Sequence, residues 1–127
     1  MKVKMTASEL AEKNHLLQGV IEREKEYIDH SGELKYTPKV SIAIAKNVNV
    51  IMDEIKLIMK EQDKNKAIAD QKGVELAELP AQKELMNAEI EVDLKMVTEN
   101  DIEQCKISSI DVLALLFMTK EGGKESC

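Results

Sequence analysis

Apolar and polar residues follow more than one period along this chain. Met1, Val3 and Met5 alternate with Lys2 and Lys4, the spacing of a half-buried strand over 1–5. From Thr6 the period lengthens. "TASE" reads as a capping box: the Thr6 hydroxyl accepts from the Glu9 amide, and the Glu9 side chain reaches back. Leu10, Leu17, Ile21 and Ile28 recur on one face, which predicts a helix over 6–30 stopped by Gly32. Gly19 is a soft point in it, costing about 1 kcal/mol against Ala, and marks a close helix contact.

The second helix has the clearest start. "KYTPKV" places Thr37 at the N-cap and Pro38 at the first helical position, where a missing N–H costs nothing. From Val40 to Met59 the apolar residues cover more than one stripe. A helix apolar around most of its girth must be covered on several sides, either by the rest of its own chain or by other copies. Val40, Ile44, Val50, Ile51, Ile55, Leu57 and Ile58 are the candidate oligomer or partner interface. Lys46, Asn49, Asp53, Lys56 and Lys60 fall three and four apart and form the candidate exposed polar face. "KEQDKNKAIADQKG" is polar, and is expected to extend the helix as an exposed arm to residue 72, capped by Gly73. A helix over 38–72 is about 50 Å long.

Beyond Gly73 the elements shorten. "VELAEL" fits a helical turn or a loop, and "PAQKELMNA" predicts a short helix over 80–88. In "IEVDLKM" the period returns to two, which predicts a strand over 89–97. "TENDIEQC" has room for one helical turn. Ser108 or Ser109 then caps a helix over 109–120 carrying Ile110, Leu113, Leu116 and Phe117, ended by Gly122 and Gly123, with "KESC" as a frayed tail. A lone strand leaves its backbone groups unpaired. The two alternating segments are therefore expected to pair, with Lys2 and Lys4 beside Glu91 and Asp93 and the strand direction left open.

Composition narrows the core. The chain has 127 residues, one domain by size. Tyr27, Tyr36 and Phe117 are its only aromatics, so Ile, Leu, Val, Met and Ala must fill the interior. Those side chains suit coiled-coil-like helix packing. A net charge of -6 and a single arginine, Arg23, disfavour nucleic acid, which needs a cationic field. Cys105 and Cys127 suggest reduced thiols rather than a disulfide framework. The opening residues lack the apolar core of a secretory signal, and Lys46, Asp53, Glu54 and Lys56 interrupt the longest apolar stretch. A soluble intracellular protein with no membrane partner is expected.

No pattern for chemistry holds. "EKNH" has the Glu-x-x-His spacing of a di-iron bundle, but the second copy that such a site needs is missing. "DKNKAIAD" puts Ile68 and Val74 where a calcium loop needs Gly and Glu. Cys105 has no histidine near it in sequence. The glycines of "EGGK" follow a helix rather than precede one, so they form no phosphate cradle. The chain reads as a non-enzyme without metal or cofactor.

Three stretches, "LKYTPKVSIAIAKNVNVIMDEIK", "ELMNAEIEVDLKMV" and "ISSIDVLALLFM", together with the alternating opening, cover about two-fifths of the chain. In these the chain resembles small uncharacterised helical proteins encoded by phages and prophages of Gram-positive bacteria. The resemblance supplies no catalytic residues. It implies expression in a bacterial cytoplasm, and for a protein of this size it implies a binder, either a virion-assembly factor or an inhibitor of host defence.

The expected fold is mainly α with a small two-stranded β ribbon, an α+β chain built round a long central helix. The expected function is non-catalytic protein binding, as an inhibitor of, or adaptor to, a host defence complex. A virion or tail-assembly component and an oligomeric sponge for a nucleotide immune signal are the alternatives. The expected partners are other copies of the chain and a host or phage protein.

Overall fold

The structure, a computed structural model, describes residues 1–120. It is mainly helical with a small antiparallel two-stranded ribbon, an α+β arrangement. Strand β1 (Lys2–Met5) leads into helix α1 (Ala7–Ser31) and the long helix α2 (Pro38–Lys72). A 3-10 turn (Leu76–Glu78) and helix α3 (Pro80–Asn87) follow, then strands β2 (Ile90–Asp93) and β3 (Val97–Thr98). Helix α4 (Glu99–Glu103), helix α5 (Ser109–Ala114), a 3-10 turn (Leu116–Met118) and strand β4 (Thr119–Lys120) close the described chain.

Local chemistry sets the helix ends. Thr6 and Glu9 form the complete capping box, and Gly32 closes α1 at φ 70, a left-handed conformation open to glycine at little cost. Gly73 closes α2 in the same way at φ 66. Six residues join α1 to α2, so α2 turns back along α1 as an antiparallel neighbour. Leu10, Leu17 and Val20 of α1 meet Val40, Ile44 and Ile51 of α2 in the core. Burying each such side chain is worth about 1.5–3 kcal/mol. The polar end of α2 stays helical because α3 packs against it: Asn65 donates to Gln82 at 2.9 Å, Gln82 donates to Gln62 at 3.2 Å, and Ala69 is buried.

The ribbon pairs β1 with β2 in antiparallel register, Lys2 opposite Asp93 and Met5 opposite Ile90. Met5, Val92 and Leu94 are buried, whereas Met1 is exposed. The ammonium of Met1 instead donates to the Asp93 carboxylate at 2.9 Å and to the Leu94 carbonyl at 2.8 Å, and Lys2 lies 3.6 Å from Glu91. Asn47 docks the far end of the ribbon on α2. Its amide donates to the Lys95 carbonyl at 2.9 Å and accepts from the Lys95 amide at 2.7 Å. This buried side chain pairs as a strand neighbour would.

The C-terminal helix departs from expectation. A helix over 109–120 would be continuous, but α5 ends at Ala114 and the chain tightens into the 3-10 turn over Leu116–Met118. The tighter turn buries Leu115 and Met118 together and delivers Thr119 to pair beside Val97 in a second, parallel two-stranded contact. Sequence periodicity gave no sign of that pair, because each strand is two residues long. The expected stop at Gly122 and Gly123 and the tail with Cys127 lie outside the described residues.

Replacing Asn47 with the similarly shaped Leu orphans both backbone groups of Lys95. Both bonds are only part-buried, so water takes over some of the lost pairing, and Asn47→Leu should lower stability by about 1–3 kcal/mol. Urea unfolding followed by circular dichroism measures this, and a loss below about 0.5 kcal/mol contradicts the clamp.

Candidate protein-binding site

The long helix is covered by its own chain on one side only. Of the residues expected at an interface, Val40, Ile44, Ile51 and Ile58 lie in the intrachain core. That corrects their assignment as contacts to another chain, because α1, the ribbon and the C-terminal segment already cover them. Val50 and Ile55 are half-buried and Leu57 is exposed. Lys46, Asn49, Asp53, Lys56 and Lys60 are all exposed. Ile42 and Met59, 54% and 58% exposed, interrupt the polar side with apolar bulk.

A second surface comes from α5. Ile110, Val112, Leu113 and Leu116 are between 42% and 65% exposed within seven consecutive residues. The buried members of that segment, Asp111, Ala114 and Leu115, hold it to the body, so its apolar outer face is a consequence of secure seating and not of fraying. Grooves flank this shelf. One, of about 490 Å³, runs between α1 and α5, with Leu16, Ile110 and Leu113 as walls and His15, Gln18, Glu22 and Arg23 as polar groups. The other, of about 420 Å³, lies between α4 and α5 and includes Ile107, Val112 and Leu116 beside Glu99 and Glu103.

Behind the first groove lies an ionic cluster, of which Arg23 alone lines the groove. Asp111 is fully buried, and Arg23 Nε and Lys35 Nζ each donate to a different oxygen of its carboxylate at 2.6 Å. Lys35 is buried too, its ammonium 5.9 Å from the Tyr27 ring centroid. Two cations surround one anion, while Glu22 lines the same groove and the charge of Glu24 reaches the neighbouring Tyr36. Arg23 is 31% exposed, and its terminal nitrogens make no other hydrogen bond among the described residues. Gly19 explains their position. A Cβ there would stand 3.1 Å from Arg23 Nη1, so the absent side chain lets the guanidinium lie flat along α1. The helix cost of this glycine is offset by the seat it makes for Arg23.

Burial pushes the Asp111 carboxyl up, but the hydrogen bonds and charges of Lys35 and Arg23 outweigh it and hold the group below the usual carboxylate range. Tyr36 is buried beside this cluster. Burial, then the charges of Asp111, Glu24 and Cys105, push its phenol upward, and its hydroxyl has no partner among the described residues.

The other candidates from the sequence do not converge. Glu12 and His15 are exposed, and no group of three potential metal ligands occurs among the described residues. The Cys105 thiol donates to the Asp101 carbonyl at 3.5 Å. No helix among the described residues is long and apolar enough to cross a membrane. Sequence reasoning noted Arg23 and Gly19 separately but missed Asp111 and Lys35. Arg23 and Asp111 stand 88 positions apart, with no local signal that joins them. No protein family, curated protein or solved structure matches the chain.

Removing the carboxylate leaves two cations facing each other, so Asp111→Asn should cost about 3–5 kcal/mol at neutral pH. The folded-state value is depressed, so this stabilisation is present above the unfolded aspartate value of about 4 and is lost as pH falls through the folded one. The stability difference between wild type and Asp111→Asn, from denaturant melts, should be flat from about pH 8 to 6 and shrink below about pH 4. A difference independent of pH down to about pH 2 contradicts the pairing.

Proposed function

We propose that this chain is a non-catalytic protein-binding factor whose partner seats on the α5 shelf. The observation that carries the reading is the exposed apolar run Ile110, Val112, Leu113 and Leu116 on a segment whose other face is firmly buried. Apolar side chains gathered on a small surface and rimmed by charge mark interaction sites. Arg23 adds specificity. Its guanidinium is held at Nε, and its remaining donors match a carboxylate in a fork geometry. The fitting partner segment is apolar with an acidic residue near its end, apolar side chains on Leu113 and Ile110 and the acid on Arg23.

The resemblance to phage-encoded proteins directs the search for that partner towards a bacterial host complex, with the chain as its inhibitor or adaptor, acting in the bacterial cytoplasm. The apolar walls Leu16, Ile110 and Leu113 favour this over a nucleotide sponge, because they suit an apolar partner segment better than a polar phosphate.

A photo-crosslinking residue at Leu113 should capture a host protein in living cells, whereas the same residue at the remote, exposed Glu61 should not. Leu113→Glu should reduce binding of that protein at least about tenfold with an unchanged melt, since a charge in a buried contact costs more than about 1.4 kcal/mol. Equal capture from both positions, or binding untouched by Leu113→Glu, removes the α5 shelf from consideration.

A further inference from the structure

The open side of α2 carries a pattern of its own, distinct from the α5 shelf. Ile42, Ala45, Asn49, Met52, Lys56 and Met59 are spaced three and four apart in strict alternation. That is the a/d seam of a heptad repeat. At about 100° per residue, this line centres roughly 135° round the helix from the buried line through Val40, Ile44, Ile51 and Ile58. Five of the six residues are exposed and Met52 is half-buried. Their own chain therefore leaves the seam open.

We propose that a second copy of this chain covers the seam, with its α2 antiparallel to the first. The flanking charges choose both the occupant and its direction. Placing the two-fold axis between Asn49 and Met52 sets Ile42 against Met59 of the second copy, Ala45 against Lys56, and Asn49 against Met52. Each bulky or long side chain then meets one it can pack on, and the small Ala45 leaves room for the Lys56 stem to carry its ammonium out to water. On one flank Lys46 faces Asp53 of the second copy, and by symmetry the pair occurs twice. Both residues are exposed, and neither has an ion-pair partner among the described residues. On the other flank Val48 faces Ile55; both are half-buried and apolar, and they widen the seam.

The parallel alternative loses on each count. It sets Lys56 against Lys56 in the seam, places Asp53 beside Val48, and leaves Lys46 beside Ser41 with no opposite charge. One sequence thus complements itself in one direction only. The polar Asn49 and Lys56 in the seam weaken the dimer and fix its register.

Light scattering over a concentration series should show a shift from 14.3 kDa towards twice that mass. Asp53→Lys should raise the dissociation constant at least about tenfold. Exchanging the charges, Lys46→Asp with Asp53→Lys, should restore it. Direction is read with Cys105 and Cys127 replaced by Ser. A mixture of Ile42→Cys and Met59→Cys chains should form a disulfide-linked heterodimer under mild oxidation, and Ile42→Cys alone should not. A monomer at every concentration up to about 1 mM, a dimer insensitive to Asp53→Lys, or cross-linking of Ile42→Cys to itself overturns the proposal.

Discussion

One side-chain amide holds the two ends of this molecule together. Asn47 presents a donor and an acceptor from within the buried face of α2 and pairs with both backbone groups of Lys95. Its amide also lies 3.3 Å from the Met118 sulfur. The ribbon, the segment after it and the C-terminal turn therefore meet at one residue of the central helix. Two short strands alone are marginal in water. Here a polar group in an apolar face gives the ribbon a fixed seat through two part-buried hydrogen bonds.

The exposed surfaces follow from that inward fastening. With α1, β2, β3 and the Met118 turn packed against α2, Ile42, Leu57 and Met59 are left outside. The same economy operates at α5. Asp111 ties the short helix to α1 and to the α1–α2 connection through Arg23 and Lys35, so six residues are held rigidly enough to display Ile110 and Leu113 outward. Both open surfaces depend on a buried polar anchor behind them. Polar anchoring costs stability compared with apolar packing, but it fixes one arrangement among several that a core of Leu, Ile, Val and Met would accept.

The elements legible in the sequence were those with a strong period or a strong cap. The Thr6 capping box, Pro38 at the start of α2 (where Thr37 holds the N-cap position without a side-chain capping bond), the two glycine stops and the alternation in "MKVKM" and "IEVDLKM" all act through neighbours a few residues apart, and such signals survive in a linear reading. The partition of α2 was not legible. Val40 and Ile42 are chemically alike, and only the placement of other elements buries the first and exposes the second. Nor could the Arg23–Asp111–Lys35 cluster be read, since its members come from α1, the connection and α5 and meet only in the folded chain. Periodicity likewise misjudged the C-terminal helix, because the burial of Leu115 and Met118 outweighed local helix propensity.

The pairing at Lys95 is open to direct measurement by native-state hydrogen exchange. Lys95 lies outside any strand, with its side chain exposed, so its amide should exchange within seconds at neutral pH if nothing accepts from it. If Asn47 accepts its proton as described, the Lys95 amide exchanges only with opening of the core, with a protection free energy close to that of Ile51 in α2. Rapid exchange at Lys95 beside strong protection at Ile51 would contradict the account.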